Sequence, residues 1–317
     1  MRPLLCALIL ASLFGLFGCG KSEASTGAKR VAVIPKGTTH VFWKGVEAGA
    51  RKGGRETGLE IVWKGPLVEN DRAQQIQLVQ QFLGEGVAGI ALAPLDHAAL
   101  VPSVKAAKER GIPVVIYDSN LDGKPGEDFV SFIATDNHAG GKLGGERLAK
   151  ILNGTGKVVM LRYSVGSAST EAREAGFLEA ARAGGLEVIV DNRYAGATAG
   201  EAKDAALNLI DSLRQAQGVF CSNESSSYGM LLALEQMDLA GKIRFVGFDA
   251  SPPLVAALRA GKIDALVVQN PRRMGEEAVK ALAATLRGEK VQSVIDTGAV
   301  LATQENLSEP AVAALVE

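Results

Sequence analysis

Cysteine, histidine, aromatic residues and net charge are all scarce in this sequence, and each shortage excludes something. The three cysteines (Cys6, Cys19 and Cys221) stand far apart, so no disulfide framework is expected. Cys221 lies inside an apolar run and reads as a small buried hydrophobe. Three histidines (His40, His97, His138) with no clustered pair give a metal site no support, and no cofactor is expected. A formal net charge of −1 lacks the basic face that nucleic acid requires. Aromatics are 5% of the chain, so each one near a polar strand tip carries weight. There is no G-x-S-x-G, no H-E-x-x-H, and no G-x-G-x-x-G between a strand and a helix.

Long hydrophobic runs are also missing, with one exception at the start. Arg2 followed by Leu4 to Phe17 is of signal-peptide length and short for a bilayer span, so residues 1–18 read as a signal segment rather than a retained anchor. Leu16-Phe17-Gly18-Cys19 resembles a bacterial lipoprotein cleavage box, which makes Cys19 the expected lipidation site. Phe17 is bulkier than that pattern usually carries. Gly15 to Ser22 also fits a phosphate-cradling G-x-x-x-x-G-K-S pattern, but that loop must follow a buried strand and open a helix, whereas here it crosses the signal and a polar stretch. Residues 19–30 are expected to be a tether.

From there, short apolar runs alternate with helical stretches. The runs are 31–35, 60–63, 89–93, 113–117, 129–134, 157–161, 187–190, 218–221, 243–248 and 263–268. Between them, stretches such as Asp71 to Phe82, Ala98 to Lys108 and Ala172 to Ala183 carry apolar residues at helical spacing. Continuous apolar runs mark strands buried on both faces, and the alternation implies βαβ units. About ten strands fit one sheet awkwardly. The expected fold is therefore α/β, with two doubly wound parallel-sheet lobes joined by a hinge of several crossings. The crossings should fall where strand meets strand without a helix: residues 31–135 plus 269–295 form one lobe, and 136–268 plus 296–317 the other.

In open α/β sheets, ligands bind beyond the carboxyl ends of the strands. Those ends carry Lys36, His40, Phe42 and Trp43, then Asp118 and Ser119, then Ser222, Asn223 and Glu224, then Asp249, then Gln269. Planar two-headed side chains hydrogen-bond neighbouring hydroxyls, and flat rings face the C–H side of a sugar. Plainer readings stand beside these. Asp249 could cap the helix opening at Pro252, although Ser251 is better placed for that. Asp118 could be a turn residue, Trp43 plain core, and His40 a structural hydrogen bond.

The segments PKGTTHVFW (35–43), IPVVIYDSN (112–120), FIATDNHAGG (132–141), EAREAGF (171–177), FCSNES (220–225), FVGFDASP (245–252) and ALVVQNP (265–271) resemble the periplasmic sugar-binding proteins of ribose and glucose type. Those proteins serve ABC importers and share a fold with the ligand cores of lactose-type repressors. The likeness spans about residues 30–303. It implies aromatic walls at Phe42 and Trp43, polar contacts from Lys36 and His40, carboxylates gripping ring hydroxyls at Asp118 and Asp249, and further hydrogen bonds from Arg173, Asn223 and Gln269. Ser119 and Ala93 stand where ribose binders carry Arg and Asn, which favours a hexose over ribose. The implied partners are a monosaccharide and importer permease subunits, with the membrane touched through the lipid anchor only, in the periplasm or at the cell surface, as a monomer.

Asp118 and Asp249 could pose as a glycosidase pair, yet export and ligand-gripping amides suit capture without turnover. A sugar sensor signalling to a membrane receptor would use the same residues. A repressor is disfavoured, because an export signal stands where a helix-turn-helix would be.

Overall fold

The computed structural model describes residues 28–316. The signal segment 1–18, the lipidation site Cys19 and most of the 19–30 tether lie outside the described residues.

The chain opens with β1 (Arg30–Ile34), α1 (Val41–Thr57), β2 (Glu60–Trp63), α2 (Arg72–Glu85), β3 (Gly89–Leu92), α3 (Val101–Glu109), β4 (Val114–Tyr117) and β5 (Ser131–Ala134). It continues through α4 (Asn137–Ile151), β6 (Lys157–Arg162), α5 (Ala168–Ala183), β7 (Glu187–Tyr194), α6 (Ala199–Leu207), α7 (Ile210–Gln215), β8 (Gly218–Cys221), α8 (Glu224–Gln236), β9 (Arg244–Phe248), α9 (Pro252–Arg259) and β10 (Ala265–Gln269). It ends with α10 (Pro271–Leu286), β11 (Val294–Asp296), β12 (Ala299–Ala302) and α11 (Pro310–Val316).

Two six-stranded sheets result. The first runs β11-β5-β4-β3-β1-β2, all parallel, and the second runs β12-β10-β9-β8-β6-β7, parallel except for the antiparallel edge strand β12. Both share one winding order, so each strand of one lobe has an equivalent in the other. Helices cover both faces, which explains why β3, β4, β8 and β10 are buried at every residue. Separate apolar clusters form on the two faces of each sheet. Cys221 is a buried free thiol in one of them, its pKa pushed up by burial.

The chain passes between sheets three times: after Ala134, after Gln269 and after Asp296. Gln269 ends β10 in the second sheet and Asp296 ends β11 in the first, so each stands one residue across the boundary drawn from sequence. Strand pairing, not the length of an apolar run, sets membership. The crossings are tied together: the Thr135 hydroxyl donates to Gln269 Oε1 at 3.0 Å, and the Asp136 N–H to Asp296 Oδ1 at 3.1 Å.

Two helix starts differ from expectation. α3 begins at Val101 rather than Ala98, because the Asp96 carboxylate holds the N–H groups of Ala98 and Ala99 in a turn at 3.0 and 2.8 Å. α5 begins at Ala168, four residues before the expected Ala172, which brings Ser169 and Thr170 into its first turn. It packs against α4 through glycine: a Cβ at Gly141 would lie 1.9 Å from the Arg173 carbonyl oxygen. That close approach fixes the backbone of Arg173.

Candidate functional site

The lobes meet over the carboxyl ends of both sheets and enclose a cavity of about 320 Å³. Each lobe contributes one acid from the tip of its fourth strand, Asp118 after β4 and Asp249 after β9. Both have left-handed backbones, φ 62° and 68°. Asp tolerates this region better than most residues, but each instance still costs about 1–3 kcal/mol. Ladder bonds enforce it: the Asp118 N–H donates to the Ile133 carbonyl at 3.0 Å, and the Asp249 N–H to that of Val267 at 2.9 Å. The two acids are 4% and 6% exposed, which is where carboxylates need partners.

Asp118 has a cation beside it. Lys36 Nζ lies 3.3 Å from Asp118 Oδ2 and donates across the cleft to the hydroxyls of Ser167 (3.2 Å) and Ser169 (3.0 Å). Asp249 has none at bonding distance. It accepts from Gln269 Nε2 at 2.8 Å and from the Glu224 N–H at 2.9 Å. Burial pushes its pKa up from 3.8 to about 6, against the pull of Arg173 and the Gln269 bond.

Arg173 is buried under the cavity floor. Its Nε donates to Asn137 Oδ1 (2.8 Å), Nη1 to the Ser222 carbonyl (3.0 Å) and Nη2 to Gln269 Oε1 (2.7 Å), and the guanidinium lies 4.2 Å from the Phe248 ring centroid. Burial lowers its pKa, with the surrounding carboxylates opposing. Gln269 thus links Arg173, Asp249 and the crossing residue Thr135.

The most connected acid is Glu69, in the loop after β2. It accepts from Trp43 Nε1 (2.6 Å), pairs with His40 Nδ1 (2.6 Å), and accepts the Tyr163 hydroxyl of the opposite lobe (3.0 Å). Burial opposes charge on both members of the pair, but their mutual attraction wins. Glu69 falls from 4.5 to about 2, and His40 rises from 6.5 to about 9.

Of the ten residues proposed from sequence, Lys36, His40, Phe42, Trp43, Asp118, Arg173, Asn223, Asp249 and Gln269 line this one cavity. Ser119 does not. Its hydroxyl accepts the Ser169 N–H at 3.1 Å and so joins the lobes. Trp43 is mainly core: it is 2% exposed and packs edge-on against Phe42 and Tyr117, leaving the half-buried Phe42 as the wall. Asn223 Oδ1 caps α8 by accepting the Ser226 N–H at 3.1 Å, and its Nδ2 donates to the Ser225 hydroxyl at 3.2 Å.

Glu69, Tyr163, Ser169, Thr170 and Glu224 also line the cavity and were missed. Tyr163 directly follows β6, so extending the strand-tip rule to the run 157–161 reaches it. Ser169 and Thr170 were hidden by the late placement of α5. Glu69 follows β2 by six residues, and only its acidic loop PLVEND marked it. Glu224 Oε2 accepts the Phe42 N–H at 3.0 Å and Oε1 that of Val41 at 3.3 Å, so an acid of one lobe sits at the positive end of α1 in the other. Among the described residues, no group of three or more His, Cys, Asp or Glu is placed to hold a metal ion, and no helix is long and apolar enough to cross a membrane.

Residues 31–290 match the family described as periplasmic binding protein domain. The sequence is similar to the D-allose-binding periplasmic protein of Escherichia coli strain K12, 28% identical over 281 residues, 87% of this chain and 90% of that one. It is also similar to the ribose import binding protein RbsB of the same strain, 30% identical over 265 residues, 83% of this chain and 86% of that one. Among solved structures, an ABC transporter solute binding protein from Agrobacterium vitis with bound D-fucose matches with a TM-score of 0.87 and 33% identity, covering 91% of this chain and 100% of its own.

Proposed function

We infer, since the chain belongs to the periplasmic binding protein family, that it captures a monosaccharide between its lobes and delivers it to an ABC importer. Relatives named for ribose and D-allose, and a neighbour holding D-fucose, support a sugar ring as the ligand. The observation that carries the reading is the convergence of Asp118 and Asp249, from equivalent strand tips of the two lobes, on one cavity beside Phe42. Neutral hydroxyls suit these walls. Lys36 is bonded to Asp118 and two serines, His40 to Glu69, and Arg173 to two amide side chains and a carbonyl, so the cations are largely engaged by the protein.

A hexose is favoured over ribose. Ser119 is bonded to α5 and Ala93 offers no side-chain donor, so the two donors of the ribose pattern are missing. In the mechanism, the ring docks on Phe42 and its hydroxyls engage Asp118, Asp249 and their neighbours. The lobes then close about the three crossings, a hinge motion general to two-lobed binders. The closed form is what importer subunits recognise. Anchoring through a lipidated Cys19 rests on the Leu16-Phe17-Gly18-Cys19 box.

A Kd near 1 µM corresponds to about −8 kcal/mol. The test is a thermal-shift screen of residues 20–317 against hexoses, pentoses and polyols, with amino acids and nucleosides as contrast. A small set of sugars should raise the melting temperature. A flat response to every sugar, with shifts from amino acids or nucleosides, overturns the assignment.

A further inference from the structure

Beyond the inner cavity the cleft continues into a second recess of about 820 Å³. The two share Phe42, Glu224, Asp249 and Gln269, so they are one continuous space divided at these side chains. The outer recess adds apolar walls of its own: Val268 of β10, Pro252 and Pro271 opening α9 and α10, and Leu315 and Val316 of α11. Ser251 also lines it. This residue is 4% exposed and stands at the N-cap of α9, yet its hydroxyl makes no capping bond. Pro252 and Pro253, next in the chain, have no N–H to offer. A hydroxyl buried to that degree is normally bonded. Glu224, shared by both spaces, holds two N–H groups of α1, and a carboxylate has capacity beyond two.

Apolar faces with a few polar groups among them are the composition of a sugar-ring site. The inner cavity, at about 320 Å³, is near the low end of ligand pockets and suits one ring. We propose that the outer recess is a second ring subsite, so that the sugar captured is one end of a disaccharide. Its far ring lies against Phe42, Pro252 and Leu315, with hydroxyls bonded to Ser251 and Glu224. This rests on the sugar-binding reading above.

The test is calorimetric titration of the chain with the monosaccharide that the screen selects, its methyl glycoside, and disaccharides that carry it at one end through different linkages. At least one disaccharide should bind about tenfold tighter than both smaller ligands. Ser251→Ala and Leu315→Glu should each reduce that gain, with the disaccharide Kd approaching that of the monosaccharide. Melting temperatures of the unliganded variants check that they fold. If the monosaccharide binds but every disaccharide binds more weakly, or if both variants keep the full gain, the subsite is overturned and the sugar reading stands. If neither class binds, the sugar reading falls and the subsite with it.

Discussion

At the scale of single residues, the site is a set of acids held in states they would not adopt in water. His40 and Glu69 hold each other charged. His40 is raised above its ordinary 6.5 to about 9, so its contribution to stability is complete below pH 6.5 and is lost as the pH rises through 9. Glu69 is lowered from 4.5 to about 2, so its contribution is present above pH 4.5 and is lost as the pH falls through 2. Asp249 runs the other way: raised from 3.8 to about 6, its charge opposes folding above pH 6, and that cost is relieved as the pH falls toward 3.8. Urea unfolding should therefore show stability declining from about pH 6.5 to pH 9.5, with about 3 kcal/mol of the decline absent in His40→Gln. Identical slopes in the native chain and the variant would contradict the pairing. Strand-tip polarity made most site residues legible in the sequence, because a carboxylate or amide after an apolar run has few other reasons to be there. Glu69 was not legible, since its position depends on how a six-residue loop folds back over α1 and not on any local pattern.

At the scale of elements, the strands were readable because both faces of each parallel sheet are covered, which demands unbroken apolar residues. β7 departs from this, running to Tyr194 where its apolar run stops at Val190, because it is an edge strand with half-exposed side chains. Helix packing was invisible, since it depends on which glycines touch what. Gly141 allows the backbone of α5 to approach α4, and a Cβ there would lie 1.9 Å from the Arg173 carbonyl. Gly84, on exposed α2, has open space around it. Gly141→Ala should cost about 1–3 kcal/mol and weaken sugar binding by displacing Arg173. Gly84→Ala should add up to about 1 kcal/mol through helix propensity. Thermal melts and binding titrations on both variants check the pair, and equal effects would show that the α4–α5 contact does not position the site.

At the scale of the whole molecule, the two lobes are joined by bonds that exist only when the cleft is shut. Tyr163 to Glu69, Lys36 to Ser167 and Ser169, and Glu224 to the N-terminus of α1 all cross it. Tyr163→Phe removes one such bond and leaves the cavity wall in place. It should weaken sugar binding by about tenfold, the value of one bond to a charged group, and small-angle scattering should show a smaller fraction of compact molecules at a given sugar concentration. An unchanged Kd would mean that this bond does not contribute to closure. The central claim is that acids from both lobes grip one sugar ring. The measurement that tests it most directly is calorimetric titration of the native chain and of an Asp118→Asn, Asp249→Asn double variant with the sugar that shifts the melting temperature. The account predicts saturable one-site binding in the native chain and a loss of at least about 2–4 kcal/mol in the variant, whereas equal affinity in the two proteins would contradict it.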